Sequence, residues 1–265
     1  MSAVIILLLC LFSFARSTAY SDQSQPKVLI VSSREDWARW KLNHSVFVDW
    51  QIFSEVGAIS RGILNPNLNQ IKDHFEALGL SKTQQIFVIG RGLKGLGEEG
   101  RMLWILKSFG FEKAAIISKK SSVFKDLQKE ASSKNLLQPK RSRLKKVLFN
   151  SKWSISRFEL EKNKNDYFFL DVRPLSHNKY PLFFSDIQSI RRIDWRSFYF
   201  NDLLPREFLR EQIKEDFQKS GKTKIIILSH AGLAAAGIAL LLDRWNLPTV
   251  FLPGGLVSLQ PDFFH

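Results

Sequence analysis

The fold is decided by one stretch near the carboxyl end of the chain, Lys224-Ile225-Ile226-Ile227-Leu228-Ser229-His230-Ala231-Gly232. Its first half is a continuous apolar run, which is typical of a parallel strand buried on both faces. An apolar helical pattern follows at residues 233–245. A strand that passes through a short glycine-containing loop into a helix predicts an α/β domain, and ligands of such domains bind at the carboxyl end of the strand.

Predicted strands and helices alternate in the same order in both halves of the chain. The first half has strands at 46–50, 85–89 and 114–118, with helices at 33–42, 68–78 and 98–109. The second half has strands at 167–173, 224–228 and 249–252, with helices at 154–162, 205–219 and 233–245. This pattern predicts two tandem α/β domains, each a small, mostly parallel sheet flanked by helices.

Positive charge is concentrated between the two predicted domains. The formal net charge is +14 over 265 residues; residues 118–164 hold fourteen Lys or Arg and four Asp or Glu, and the rest of the chain holds 25 and 21. We predict an N-terminal domain at 20–118, a basic linker at 119–146 and a C-terminal domain at 147–265. A solvated linker is the simpler interpretation, and a patch that contacts polyanions is the alternative. The two nearly balanced bodies predict no nucleic-acid binding.

Residues 1–19 have the features of an export signal. An apolar run at 3–14 precedes Ser17-Thr18-Ala19, the small residues that a signal peptidase reads. We expect cleavage after Ala19 and an exported protein, periplasmic or extracellular. The alternative is an uncleaved segment that anchors the chain to a membrane. Beyond the signal, no run has the roughly 20 apolar residues that a membrane span needs.

The only cysteine, Cys10, lies inside this predicted signal. Its removal leaves a mature chain without thiols, which excludes disulfides, cysteine metal sites and thiolate catalysis. The five histidines are scattered without the spacing of metal ligands, so we predict no metal site and no cofactor.

The order of short motifs resembles that of the two-domain rhodaneses, or thiosulfate sulfurtransferases, over most of the mature chain. The second half carries Leu170-Asp171-Val172-Arg173, Ser229-His230-Ala231-Gly232-Leu233-Ala234-Ala235 and Pro253-Gly254-Gly255. The first half carries Gly97-Glu98-Glu99-Gly100-Arg101, with Trp104 following. The resemblance implies a rhodanese-like fold in each domain. It also implies sulfur transfer through a persulfide on a loop cysteine.

Ser229 occupies the position of that cysteine. A serine hydroxyl is far less acidic than a thiol and cannot hold a transferable sulfur atom. The other loop side chains supply no permanent charge: His230, Ala231, Leu233, Ala234 and Ala235. We therefore expect a catalytically inactive member of the family, with no catalytic residues, whose pocket binds a small anion or a protein partner.

The residues expected to bind the anion are Ser229, Gly232, Arg173 and Lys179. Lys179 is implied by the resemblance, because Lys179-Tyr180 falls near the substrate-binding Arg-Tyr pair of the family. Asp171 and Arg173 are also predicted to form a buried ion pair that stabilises the end of the sheet.

Alternatives remain open at this point. The chain could be a working enzyme that uses the same pocket with Ser229 as nucleophile, or a scaffold or adhesion protein acting through the basic linker. Residues 90–95 satisfy the G-x-G-x-x-G pattern of dinucleotide sites, although no acidic residue ends the following strand. The charges of Glu98, Glu99 and Arg101 are interpreted as a helix start that the helix dipole favours.

We expect the mature protein to begin at Tyr20. Amino-terminal sequencing of the protein secreted or released by its own cells checks this. A mature chain that still begins at the amino-terminal apolar run contradicts cleavage and favours the membrane-anchored alternative.

Overall fold

In a computed structural model of the chain, the described residues are 26–40, 42, 44–55, 57, 62–131, 141–177, 190–199 and 205–259. The predicted export signal with Cys10, and the predicted anion ligand Lys179, lie outside them. Within the described part of the chain, no helix has both the length and the apolar character that a membrane span requires.

The first domain is built on a parallel sheet of four strands in the order β2-β1-β3-β4. The strands are β1 (Lys27–Ile30), β2 (Ser45–Phe47), β3 (Ile86–Ile89) and β4 (Ala114–Ile116). The helices are α1 (Arg34–Trp40), α2 (Leu68–Ala77), α3 (Glu98–Ser108) and α4 (Ser122–Ala131).

The second domain repeats this topology, with four parallel strands in the order β6-β5-β7-β8. The strands are β5 (Tyr167–Asp171), β6 (Ile190–Arg192), β7 (Lys224–Leu228) and β8 (Thr249–Phe251). The helices are α5 (Arg157–Lys162), α6 (Glu207–Ser220) and α7 (Leu233–Arg244). The predicted fold class is thereby confirmed.

Three strands differ from the prediction. The sequence pattern missed β1 and β6. The strand predicted at 46–50 lies instead at Ser45–Phe47. It stops there because the Asp49 side chain accepts a hydrogen bond from the Gln51 N–H and starts a 3-10 turn over Trp50–Phe53.

Part of the range predicted as a basic linker packs against the first domain. Helix α4 lies in that range, and its Phe124 and Leu127 are buried in a cluster with Val28, Ile30 and Ile89 of the first sheet. An amphipathic helix that covers a sheet face is part of the domain, because its apolar side removes that face from water.

Residues 141–147 also run along the first domain rather than through solvent, and we call them the strap. The strap residue Leu144 is 8% exposed and joins the main core. Its backbone N–H donates to Glu76 Oε1 at 2.8 Å, and the Ser142 N–H donates to the Glu76 carbonyl at 2.9 Å. Arg141 adds an ion pair with Asp73 at 3.2 Å.

The two domains share one hydrophobic core, centred on the contact between α3 and α7. Gly100 and Gly237 allow this close approach, since a Cβ built on Gly100 would lie 2.6 Å from the Gly237 Cα. Behind them, the rings of Trp104 and Phe251 pack edge to face with centroids 5.1 Å apart. The N-terminal ends of both helices therefore meet at the domain interface.

The anchoring of the strap by Glu76 depends on pH. Hydrogen bonds from Lys72 and from the Leu144 backbone lower the pKa of Glu76 to about 2, against 4.5 normally. Because the folded state lowers this pKa, the stabilisation is present above pH 4.5 and disappears as the pH falls toward 2.

We predict that the unfolding free energy of Glu76→Gln falls less than that of the wild type as the pH is lowered from 5 to 2. Urea titrations between pH 5 and pH 2 measure it. Glu112→Gln, which alters a carboxylate that is 76% exposed, serves as the control and keeps the wild-type slope. An unchanged slope in Glu76→Gln contradicts the anchoring.

Candidate functional site

The loop singled out by the sequence lies at the carboxyl end of β7 and leads into α7. Gly232 is the N-cap residue of the helix, with a φ of 76°, a left-handed conformation that favours glycine, and it has no side chain with which to cap the helix. The first N–H groups of a helix have no intrahelical acceptor and attract anions. The predicted location of the site is thus formed by backbone groups.

A second segment packs tightly behind this loop. The Leu256 N–H donates to the Ser229 carbonyl at 2.9 Å, and the Val257 N–H donates to the His230 carbonyl at 3.1 Å. A Cβ built on Gly232 would lie 1.9 Å from the Pro253 carbonyl oxygen. The motif Pro253-Gly254-Gly255 is therefore the support that fixes the loop conformation.

Ser229 points into this supported loop. Its side chain is almost fully buried, at 3% exposure for the residue, and its Oγ accepts a hydrogen bond from the Ala235 N–H at 3.4 Å. His230 is exposed. The hydroxyl thus lies where a helix N-terminus directs its N–H groups, and the hydrogen bonds of the described residues join it to no histidine or lysine base.

The predicted ion pair is present on the neighbouring strand. Arg173 Nη2 donates to Asp171 Oδ2 at 2.8 Å and its Nε donates to Oδ1 at 3.0 Å, with both residues buried. Asp171 of β5 is paired in register with Leu228 of β7. The Asp171–Arg173 ion pair therefore lies beside Ser229 at the carboxyl end of the sheet. Within the described part of the chain, the buried Arg173 Nη1 has no hydrogen-bond partner.

Three of the four residues expected to bind an anion therefore lie at the carboxyl end of the second sheet: Ser229, Gly232 and Arg173. The fourth, Lys179, lies outside the described residues. Arg173 binds Asp171 through its Nε and Nη2 groups, which leaves the two N–H groups of Nη1 for any other acceptor.

The equivalent loop of the first domain is filled by a side chain that the sequence pattern did not identify. Glu99, in the first turn of α3, is 4% exposed, and its Oε1 accepts a hydrogen bond from the Gly92 N–H at 2.5 Å. Gly90 leaves room for it, since a Cβ there would lie 2.4 Å from the carboxyl carbon. Burial raises the pKa of Glu99. The first loop is thus occupied by a carboxyl group that belongs to the chain itself.

This occupancy also bears on the dinucleotide pattern at residues 90–95. The Gly92 N–H is already bonded to Glu99, and residues Gly92–Lys94 form a 3-10 turn. Within the described residues, no group of three or more His, Cys, Asp or Glu side chains is arranged for a metal ion.

Arg101 connects the first domain to the loop of the second. It is fully buried, donates from Nη2 to the Gly62 carbonyl and from Nη1 to the Pro253 carbonyl at 3.3 Å, and lies 4.3 Å from the centre of the Trp104 ring. Burial lowers its pKa to about 9. Because Pro253 supports the Gly232 turn, Arg101 braces the second-domain loop from across the interface.

Solved structures with the same architecture are known, although no family model and no curated protein matches the sequence. One of them is SseA from Escherichia coli, a 3-mercaptopyruvate sulfotransferase of rhodanese fold. Its TM-score to this chain is 0.65 at 16% sequence identity, and the alignment covers 87% of this chain and 92% of SseA. Tum1 from Saccharomyces cerevisiae has a TM-score of 0.61 at 15% identity, covering 97% and 92%. An anaerobic ergothioneine biosynthesis enzyme from Chlorobium limicola, in complex with trimethyl histidine, has a TM-score of 0.65 at 14% identity, covering 96% and 67%.

These likenesses are likenesses of fold. They show that the chain has the two-domain rhodanese fold found in sulfurtransferases, as the motif order implied. What the chain does with that fold depends on its own loop residues.

We predict that Arg101→Lys lowers the free energy of unfolding by about 1 to 3 kcal/mol, because an ammonium cannot reach two carbonyls as a guanidinium does and leaves a buried acceptor unbonded. Chemical denaturation measures the change. Arg157→Lys, which alters an exposed ion pair with Glu161, is the control and stays within about 1 kcal/mol of the wild type. Equal effects of the two substitutions contradict the bracing role.

Proposed function

We propose that this protein binds a small oxyanion at the loop of residues 229–235 and does not transfer sulfur. The observation that supports it best is the contrast between the two loops. In the first domain, a strand end and a helix N-terminus enclose the carboxylate of Glu99. In the second domain, the hydroxyl of Ser229 and the first backbone N–H groups of α7 lie at the corresponding place, and the loop residues include no carboxylate.

The chemistry of sulfur transfer explains why binding is proposed without turnover. A loop thiolate attacks the outer sulfur of a donor such as thiosulfate, the S–S bond breaks, sulfite leaves with the electron pair, and the cysteine retains the sulfur as a persulfide. Ser229 has no ionised form of comparable abundance near neutral pH, and an alcohol does not carry a persulfide. The loop amides still favour the negative charge of the donor.

The chain's own charges define what the loop can bind. The loop side chains of the second domain are small or apolar apart from Ser229 and His230, so the attraction comes from backbone N–H groups and from the Nη1 group of Arg173. Such a site suits a compact, singly or doubly charged oxyanion rather than a large nucleotide. The proposal includes export of the protein, because its apolar amino-terminal run and small-residue cleavage site favour that route.

Two other functions have weaker support. A nucleophilic Ser229 needs a base within hydrogen-bond reach, and its hydroxyl is instead bonded to the Ala235 N–H. A scaffold role for the basic linker would use the exposed cations of the strap, Arg141, Arg143, Lys145 and Lys146. Arg141 is already paired with Asp73 and Glu76.

The proposal predicts that wild-type protein binds thiosulfate without consuming it. Calorimetry should detect heat on titration with thiosulfate, and a cyanide-coupled assay on the same sample should detect no thiocyanate. Ser229→Cys restores a thiol at the loop and should gain the mass of one sulfur atom on incubation with thiosulfate.

Ser220→Cys, which places a thiol at the end of α6 away from the loop, is the matched control and should gain no sulfur. Thiocyanate production by the wild type contradicts the absence of transfer. A Ser229→Cys protein that is folded but inert shows that the loop does not hold the donor, which contradicts anion binding there.

A further inference from the structure

A cavity lies between the two domains, beside the N-terminal parts of α3 and α7. Its volume is about 370 Å³. The described residues that line it come from the start of α3, the end of β4, the turn after β6 and the helix α7: Gly97, Glu99, Gly100, Ile116, Ile117, Ser118, Lys120, Ser121, Trp195, Tyr199, Ala234 and Gly237. We call it the interdomain cavity. Ser229 and Gly232 are not among these residues, and Ala234, in the first turn of α7, is the one residue of the 229–235 loop that lines the cavity.

The walls of the interdomain cavity are mostly apolar. Ile116 and Ile117 form one side, and the ring of Trp195, which is 5% exposed, forms another. Three glycines line it and add no side-chain volume. The apolar atoms that line this cavity lack the close contacts that packed interfaces provide. A ligand of fitting shape would supply those contacts.

Five residues with hydroxyl or charged side chains line the cavity: Glu99, Ser118, Lys120, Ser121 and Tyr199. The proposal depends on Glu99 and Tyr199. They are close enough that the charge of Glu99, added to burial as the larger cause, raises the pKa of Tyr199. The bond from the Gly92 N–H uses one lone pair of Glu99, and an ionised carboxylate accepts about four hydrogen bonds. Glu99 therefore keeps the capacity to accept from a ligand.

Three positively charged side chains lie near the cavity, and two of them, Lys119 and Arg196, pack on aromatic rings. Lys120 is exposed at the rim. Lys119 lies over the Trp40 ring, 4.2 Å from its centroid. Arg196 packs on Trp195, with 5.0 Å between the guanidinium carbon and the ring centroid, and donates to the Leu93 carbonyl at 3.0 Å. Among the described residues that line the interior, Glu99 is the acidic one; burial raises its pKa, and a cation beside it favours the ionised form.

We propose that the interdomain cavity binds a small organic cation with an aromatic body. The ammonium group lies against the carboxylate of Glu99, where the charges are complementary and partly shielded from water. The body fills the space beside Trp195, Ile116 and Ile117, which removes apolar surface from water. Tyr199 supplies an aromatic face or a hydroxyl beside the cation.

Three compounds with one phenyl ring and different ends test the charge assignment: 2-phenylethylamine, 2-phenylethanol and 3-phenylpropionate. Calorimetry with the full-length folded protein measures each affinity. The cation should bind at least about tenfold more tightly than the neutral alcohol and the anion. Glu99→Gln should remove that preference, since the amide keeps the shape and loses the charge.

Glu98→Gln is the matched control. Glu98 is the adjacent carboxylate, it accepts from the exposed Leu96 N–H at 2.7 Å, and it does not line the cavity. This variant should keep the wild-type preference. Lys120→Glu, an exposed change at the rim, should tighten binding of the amine about threefold, and it tests the same assignment if Glu99→Gln does not fold.

The proposal is overturned if the amine does not bind, if the alcohol or the acid binds as tightly as the amine, or if a folded Glu99→Gln protein keeps the preference. It is also overturned if Lys120→Glu weakens binding of the amine. The oxyanion proposal keeps its own test, because neither Ser229 nor Gly232 lines the interdomain cavity.

Discussion

The buried guanidinium of Arg101 links the first domain to the segment that supports the loop of the second domain, and the geometry of that loop depends on this link. It has no carboxylate partner among its hydrogen bonds and instead donates to two backbone carbonyls, at Gly62 and at Pro253. An unpaired buried cation is expensive, and burial lowers the pKa of Arg101 accordingly. The stacking on Trp104 offsets part of that cost. The result is a first domain that fixes the loop of the second.

The two domains use the same strand-loop-helix arrangement in opposite ways. In the first, Glu99 folds back onto Gly92 and satisfies the loop internally. In the second, Ser229 lies at the strand end, and its hydroxyl accepts a hydrogen bond from the Ala235 N–H in the first turn of α7. The carboxyl group of Glu99 occupies the first loop, and the second loop has only a small neutral hydroxyl at that place, so we propose that it accepts an external anion. The interface between α3 and α7 therefore joins a filled loop to one that can accept a ligand.

Much of this architecture could be predicted from sequence, and the exceptions have physical causes. Strands β3, β5 and β7 are buried, and their continuous apolar runs identified them. Strand β1 is equally central and buried, and its short apolar run at residues 28–30 was missed. Strand β6 lies at a sheet edge and carries Arg191 and Arg192, a composition that hides an edge strand from an apolar pattern. The buried Asp171–Arg173 pair was predicted from its motif. The burial of Glu99 and Arg101 was not, because a single sequence does not distinguish a charged helix start from charges enclosed by a second domain.

The direct test of the account is a crystal structure of the wild-type protein with thiosulfate or sulfite bound at saturating concentration. The account predicts electron density for the anion at the N-terminal end of α7, within hydrogen-bond distance of the Ser229 hydroxyl and the backbone N–H groups at residues 230–235, and no density on the Glu99 side of the Gly92 loop. Density for the anion elsewhere only, or none at all at the Ser229 loop, contradicts it.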